Sequence, residues 1–251
     1  MVNIILHGCN GRMGRMITDI VADDENAKIV AGVDVAGGQL SDFTVFENID
    51  DCNVQADAVI DFGNACAVDH LLDWCVQHKI PCVECTTGLS EEQIKHLEDC
   101  SAEVAILKSA NMSLGVNVLL KLVAEAARTL ADAGFDIEIV EKHHRTKLDA
   151  PSGTALALAD SINEARNSEY DYVYDRSQVR QPRGSKELGI SAVRGGTIVG
   201  DHDVIFAGQD EVVTFSHRAY SRAVFAKGAV QAAKFLKGKG AGHYTMSDVI
   251  G

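Results

Sequence analysis

Five potential cations stand within six residues at Lys142-His143-His144-Arg145-Thr146-Lys147, in a chain whose acidic residues outnumber its basic ones 36 to 23. The run follows residues 135–141, which alternate apolar and polar, and leads through Leu148-Asp149-Ala150-Pro151 into Ser152-Gly153-Thr154. Ser152 is a good N-cap, and Gly153 and Thr154 then present backbone N–H groups in the first turn of a helix. Two histidines, an arginine, a lysine and a helix N-terminus together suit carboxylates. A second constellation, Gly8-Cys9-Asn10-Gly11-Arg12-Met13-Gly14, places glycines three residues apart, with Asp34 twenty residues beyond Gly14. Glycines there let the chain turn sharply and let N–H groups approach a pyrophosphate, while an acidic residue downstream accepts hydrogen bonds from ribose hydroxyls.

A dinucleotide site and a carboxylate pocket in one chain suit hydride chemistry, and reducing a C=N bond or a conjugated imine by hydride needs a proton donor. His143 and Lys147 are the candidates. A free lysine has a pKa of about 10.4, which makes a slow acid near neutrality. Neighbouring cations are expected to bring it towards about 7 to 8, where donors work best. Fully extended, four residues span roughly 13 Å, so the chain must turn between the two groups, and Asp149-Ala150-Pro151 supplies such a turn. Asp34 repels a 2′-phosphate, and Val35-Ala36-Gly37-Gly38 offers no cation to receive one. NADH is therefore the expected preference, with NADPH possible and Arg12 as the nearby cation that softens the choice.

These groups need elements to hold them. Over the first 110 residues, apolar strand-like runs at 2–6, 28–33, 58–62, 81–84 and 104–107 alternate with helical segments at 13–21, 65–78 and after Ser90. Strands apolar throughout and separated by helices predict a parallel sheet covered on both faces, an α/β arrangement. A long helix follows at 114–130, then the strand-like 135–141, a helix at 152–164 and a polar, tyrosine-rich connection at 168–188. Three strand-like segments, 190–193, 199–206 and 211–215, then stand without helices between them, which predicts an antiparallel or mixed sheet. A last helix at 223–236 is expected to return to the first domain.

Composition narrows the partners. The formal charge of −13 repels phosphate backbones and anionic lipid, so neither nucleic acid nor a membrane surface is expected. The start of the chain lacks a positive segment and its apolar run breaks after six residues, which reads as a first strand rather than a signal peptide, in a cytoplasmic protein. Seven cysteines in a reducing compartment are expected to be buried hydrophobes. Cys82-Val83-Glu84-Cys85 spells C-x-x-C, but no second pair completes a zinc site, and no metal is expected. His7, His70, His78, His96, His202, His217 and His243 read as structural or surface residues.

Six blocks together resemble the dihydrodipicolinate reductases: residues 7–14, Cys85-Thr86-Thr87-Gly88, Asn111-Met112-Ser113-Leu114-Gly115-Val116, residues 141–155, Arg194-Gly195-Gly196 with residues 199–202, and residues 215–222. The resemblance implies a Rossmann-type parallel-sheet domain from residues 1–113 with 220–251. It also implies an α+β domain with a mixed sheet, from 114–219, that binds a dicarboxylate and assembles homotetramers. His143 is implied as the proton donor or acceptor that positions substrate, Lys147 as the proton donor in hydride transfer, and His144, Gly153 and Thr154 as carboxylate ligands. Gly8, Cys9, Asn10, Gly11, Arg12, Met13, Asp34, Cys85, Thr86, Thr87, Ala110, Asn111, Met112 and Ser113 are implied as cofactor contacts. The implied reaction is NAD(P)H-dependent reduction of 4-hydroxy-tetrahydrodipicolinate in diaminopimelate and lysine synthesis. Three positions depart from the family pattern: Cys85 where Gly is usual, Gly63 where Thr is usual, and Met112 where Phe is common. Other readings are a different two-domain dehydrogenase with an amino-acid-like substrate, or a nucleotide sensor without catalysis.

Overall fold

The apolar runs of the N-terminal part pair into one sheet in the computed structural model, which describes residues 1–38 and 42–251. Its strands are β1 (Val2–His7), β2 (Ala27–Val33), β3 (Val45–Phe46), β4 (Ala58–Asp61), β5 (Cys82–Glu84), β6 (Ala105–Lys108) and, near the C-terminus, β12 (Gly242–Tyr244). They lie in the order β12-β6-β5-β4-β1-β2-β3, and every pairing is parallel. β1, β4, β5 and β6 are buried almost throughout, as strands covered on both faces must be. One face packs against α1 (Arg12–Ala22) and α6 (Ala223–Leu236), with Leu6, Ile60, Val83 and Leu107 meeting Ile17, Ala229 and Ala233. The other packs against α2 (Val68–His78) and α3 (Glu91–Ser101), with Ile5, Val59, Cys82 and Ile106 meeting Leu71, Leu72 and Leu97. α3 starts in a capping box of Ser90 and Gln93.

The second sheet is mixed. It contains β7 (Asp136–His143), β8 (Asp171–Tyr174), β9 (Glu187–Arg194), β10 (Gly200–Ala207) and β11 (Val212–Ala219), in the order β11-β10-β7-β9-β8. β10 is antiparallel to β7 and β11, while β9 is parallel to β7 and β8. Strict alternation of burial along β7 and β10 gives this sheet one packed face, where Ile137, Ile139, Val204 and Phe206 meet Val123, Leu158 and Ile162 of α4 (Leu114–Leu130) and α5 (Gly153–Ala165). The α/β parallel sheet and the mixed α+β sheet expected from the sequence are both present. Tertiary contacts divide the chain into Met1–Leu114 with Ala223–Gly251, and Gly115–Arg222.

The differences from the sequence expectation are short elements. β8 lies inside the stretch read as a connection, β3 and β12 are two and three residues long, and α7 (Met246–Ile250) closes the chain. Runs this brief carry no measurable periodicity, and they form because a longer strand offers an open edge.

Candidate active site

The turn between β1 and α1 is built on three glycines of different necessity. Gly8 has φ +75°, and a Cβ there would stand 2.5 Å from the Phe62 carbonyl oxygen. A Cβ on Gly14 would stand 2.3 Å from the Gly8 oxygen, so the first turn of α1 can lie against the loop only because that side chain is missing. Gly11 caps α1 with no side-chain hydrogen bond, leaving the helix N-terminus to whatever ligand approaches. Asp34 closes the loop from the end of β2: its Oδ2 accepts the Asn10 N–H (2.9 Å) and its Oδ1 the Ala36 N–H (3.0 Å). Each oxygen keeps a further lone pair for a hydroxyl. Asn10 Nδ2 donates to the Gly37 carbonyl (2.7 Å), tying the two loops together. Arg12 is exposed. Arg15, which the sequence reading passed over, sends Nε to the Asn10 carbonyl (3.0 Å), so two cations flank this loop.

Several residues expected to touch a cofactor turn their side chains elsewhere. Cys9 is buried, and burial followed by the Asp34 charge pushes its thiol up to about 11. Met112 is in the core, and its carbonyl approaches α6 at Gly228, where a Cβ would meet it at 1.7 Å. Thr86 Oγ1 donates to Asp61 Oδ2 (2.8 Å) and its N–H to Glu84 Oε1 (2.6 Å). For these three only main-chain groups can serve a ligand. Thr87 and Ala110 are exposed, Cys85 and Met13 half-buried, and Ser113 donates its N–H to Asn111 Oδ1 (2.8 Å). Gly63 has a reason in this structure: a Cβ there would stand 2.6 Å from His7 Nδ1, which is bonded to Asp61 Oδ1 (2.5 Å).

In the other unit, β7 carries Glu141 and His143 on its packed face, two residues apart and therefore on the same side. Glu141 is fully buried and accepts four bonds: from His143 Nδ1 (2.6 Å), the Ser152 N–H (2.9 Å) and both Arg194 Nη atoms (2.7 Å each). Burial alone would raise its carboxyl, but Arg194, His143 and Ser152 outweigh burial and hold it below the usual range. A carboxylate cannot donate, so His143 carries its proton on Nδ1 and offers Nε2. A Cβ on Gly200 would stand 3.0 Å from that Nε2, so this glycine leaves the ring room.

After β7 the chain turns, but at residues 144–147 and not at the expected Asp149-Ala150-Pro151: the Lys147 N–H donates to the His144 carbonyl (3.1 Å). A cis Ala150–Pro151 bond then leads into Ser152, whose Oγ accepts the Ala155 N–H (3.2 Å) at the start of α5. Lys147 Nζ pairs with Asp149 Oδ1 (2.9 Å), and the Gly153 N–H also reaches the Asp149 carboxylate. The group set against the ammonium is thus a carboxylate, not the clustered cations on which the sequence expectation relied. His144 Nδ1 meets Thr146 Oγ1 (2.8 Å). Space around Gly153 is open on its Cβ side. Glu141 and Arg194 stand outside the residues whose types alone point to the chemistry. The available signal was the i, i+2 spacing of Glu141 and His143 on an alternating strand.

Neither Cys82 nor Cys85 belongs to a group of potential metal ligands among the described residues. Among the described residues Asp73, His96 and Cys100 bring ligand atoms together, with His96 Nε2 at 3.0 Å from Asp73 Oδ1 and 3.6 Å from Cys100 Sγ. No helix among them is long and apolar enough to cross a membrane.

Comparison with known proteins follows the same division of the chain. A sequence model of the family described as "Dihydrodipicolinate reductase, N-terminus" matches residues 2–112, and one described as "Dihydrodipicolinate reductase, C-terminus" matches residues 115–250. The chain is 52% identical to the 4-hydroxy-tetrahydrodipicolinate reductase of Caldanaerobacter subterraneus subsp. tengcongensis, over 100% of this chain and 98% of the relative. It is 48% identical to that of Clostridium tetani, over 100% and 97%. Its fold matches the dipicolinate-bound dihydrodipicolinate reductase from Paenisporosarcina sp. TG-14 with a TM-score of 0.82 at 24% identity, covering 98% of this chain and 97% of the other.

Proposed function

The chain belongs to the dihydrodipicolinate reductase family, and from that premise we propose how its residues divide one reaction. It is an oxidoreductase with an NAD(P)-binding Rossmann-type domain, and it reduces 4-hydroxy-tetrahydrodipicolinate to tetrahydrodipicolinate, with loss of water, on the route to diaminopimelate and lysine.

The N-terminal unit suits a dinucleotide. The Gly8 turn has no room for a Cβ, the α1 terminus lacks a side-chain cap, and Asp34 keeps acceptor capacity. In this reading the amides of Gly8, Cys9, Asn10, Gly11, Arg12 and Met13 receive the pyrophosphate. Asp34 receives ribose hydroxyls, and the backbones of Cys85, Thr86 and Thr87 and of Ala110, Asn111, Met112 and Ser113 line the remainder. When bound, the reduced nicotinamide supplies hydride. Asp34 repels a 2′-phosphate, so NADH is preferred, while Arg12 and Arg15 leave NADPH acceptable.

The unit from Gly115 to Arg222 takes the dicarboxylate. His144 and the N–H groups of Gly153 and Thr154 hold the substrate carboxylates at the α5 terminus. His143, its Nδ1 committed to Glu141, positions substrate and exchanges protons through Nε2. Lys147 gives the proton that accompanies hydride. The observation that carries this reading is that a carboxylate, the chain's own Asp149, already sits between the Lys147 ammonium and the Gly153 N–H. We read the working form as a cytoplasmic homotetramer.

The test is oxidation of NADH and of NADPH when the protein meets substrate made in place from pyruvate and aspartate semialdehyde by the preceding synthase. Turnover with both, faster with NADH and reduced at least about a hundredfold in Lys147→Ala and His143→Ala, is expected. Lys147→Ala and His143→Ala at full rate would remove the proposed acids, and a more than about tenfold advantage for NADPH would remove the Asp34 argument.

A further inference from the structure

Four ionisable side chains stand in register across the C-terminal edge of the parallel sheet. His7 of β1 is paired with Asp61 of β4, Asp61 with Glu84 of β5, and Glu84 with Lys108 of β6. All four fall on the α2–α3 side of the sheet, since Ile5, Val59, Cys82 and Ile106 two residues earlier do. Asp61 and Glu84 are both 0% exposed. Two adjacent buried carboxylates cannot both stay ionised without a large electrostatic cost.

The bonds show how the pair divides its roles. Asp61 behaves as a carboxylate, accepting from His7 and the Gly63 N–H (2.8 Å) at Oδ1 and from Thr86 Oγ1 at Oδ2. Glu84 accepts the Thr86 N–H at Oε1, while its Oε2 is buried and receives no hydrogen bond among the described residues, and the Glu84 and Asp61 carboxyl groups lie within hydrogen-bonding reach of each other. A buried orphan oxygen beside a carboxylate is explained if it carries a proton and donates it. Burial first, and the Asp61 charge next, push the Glu84 carboxyl up to about 9. The groups around it are Asp61 and, beyond it, His7; Lys108, which donates Nζ to the Thr86 carbonyl (3.2 Å); Cys82 and Cys85 on its own segment; and Cys75 from α2. α3 contributes apolar Leu97 to this side.

We propose that Glu84 is a positioning residue of the dinucleotide site: as a neutral acid hydrogen-bonded to Asp61 it fixes the loop at Cys85, Thr86 and Thr87, and losing that proton loosens the cofactor. The inference rests on the reading of that loop as a cofactor contact. Ionised Glu84 repels Asp61, and the Thr86 clamp, made by one bond to each acid, is pulled open. Glutamine keeps the arrangement, since its oxygen accepts the Thr86 N–H and its amide donates to Asp61.

The experiment is NADH binding to the full-length protein, by nucleotide fluorescence, from about pH 7 to about pH 10. For the wild type the Kd should rise about tenfold between pH 8 and pH 10, as the competent form is depleted. Glu84→Gln should bind within about twofold of wild type at pH 8 and lack the alkaline rise. A second measurement needs no variant: the infrared band of a protonated carboxyl should be present in the wild type at neutral pH and fade over the same range. An equal alkaline rise in Glu84→Gln, a flat wild-type profile, or absence of that band overturns the proposal alone. Failure of folded wild type to bind NADH at pH 8 overturns the nucleotide reading, and this proposal with it.

Discussion

His202 lies opposite Glu141 in the β7–β10 pairing, its ring edge-on to His143 at 5.1 Å and its Nε2 3.1 Å from the Ser152 hydroxyl. Burial, and then the nearby His143, push its imidazole down to about 4. The unfolded chain takes up this proton near the ordinary value of about 6.5, so between those pH values the unfolded state holds more protons and stability falls as pH drops. From pH 7 to pH 5 the loss from this one group is about 2 kcal/mol. Glu141 adds its own loss only lower, because a depressed carboxylate stabilises above its unfolded pKa of about 4.3 and fails as pH falls through the folded value. His202→Gln, which can still bond Ser152, should therefore show a shallower decline in urea midpoint between pH 7 and pH 5 than wild type. Equal slopes in the two proteins would show that His202 is not held neutral.

At the scale of elements, glycine separates positions that shape the fold from positions that leave space. Gly8→Ala puts a Cβ 2.5 Å from a carbonyl oxygen at φ +75°, so the turn must move, and NADH affinity should fall by tenfold or more, on the order of 1–3 kcal/mol. Gly153→Ala meets nothing within 4 Å and stands in a helical first turn. It should melt within about 0.5 kcal/mol of wild type, while any rise in KM measures crowding at the carboxylate site. Calorimetry with steady-state kinetics checks both, and a folding defect in Gly153→Ala would contradict the open space drawn around it. The β1–α1 turn, the α5 cap at Ser152 and the alternation of β7 were legible in the sequence because glycine spacing, capping and period two are local. The Glu141–Arg194 clamp was not, since its partners are 53 residues apart. Nor was the row at the sheet edge, because register across β1, β4, β5 and β6 is set by tertiary packing. β3, β8 and β12 were invisible for the same reason: each exists by pairing with a neighbour.

Across the whole molecule the asymmetry of the mixed sheet calls for a covering. One face of β7 and β10 is packed on α4 and α5, and the other presents the half-buried Val140 and Ile205 beside Ser191 and exposed Thr214. Charged residues interleave with these two, Asp203 opposite Val140 and Glu138 opposite Ile205, and Lys142 pairs with Asp203 (2.7 Å) and Arg218 with Asp201 (3.0 Å). A half-buried face of apolar and paired charged residues suits contact between identical copies, and closed symmetry lets the same patch serve each partner. Against association stands the formal charge of −13 on every chain, a repulsion that salt screens within a Debye length of about 8 Å at physiological strength. If this face closes the proposed homotetramer, light scattering at micromolar protein and physiological salt should give about four times the 26.9 kDa chain mass. Ile205→Glu puts a second carboxylate opposite Glu138 on this face and strengthens the repulsion, so it should shift the mass to smaller species, most completely at low salt. Wild type at the mass of one chain, or Ile205→Glu unchanged in mass at low salt, would show that this face of the sheet works uncovered.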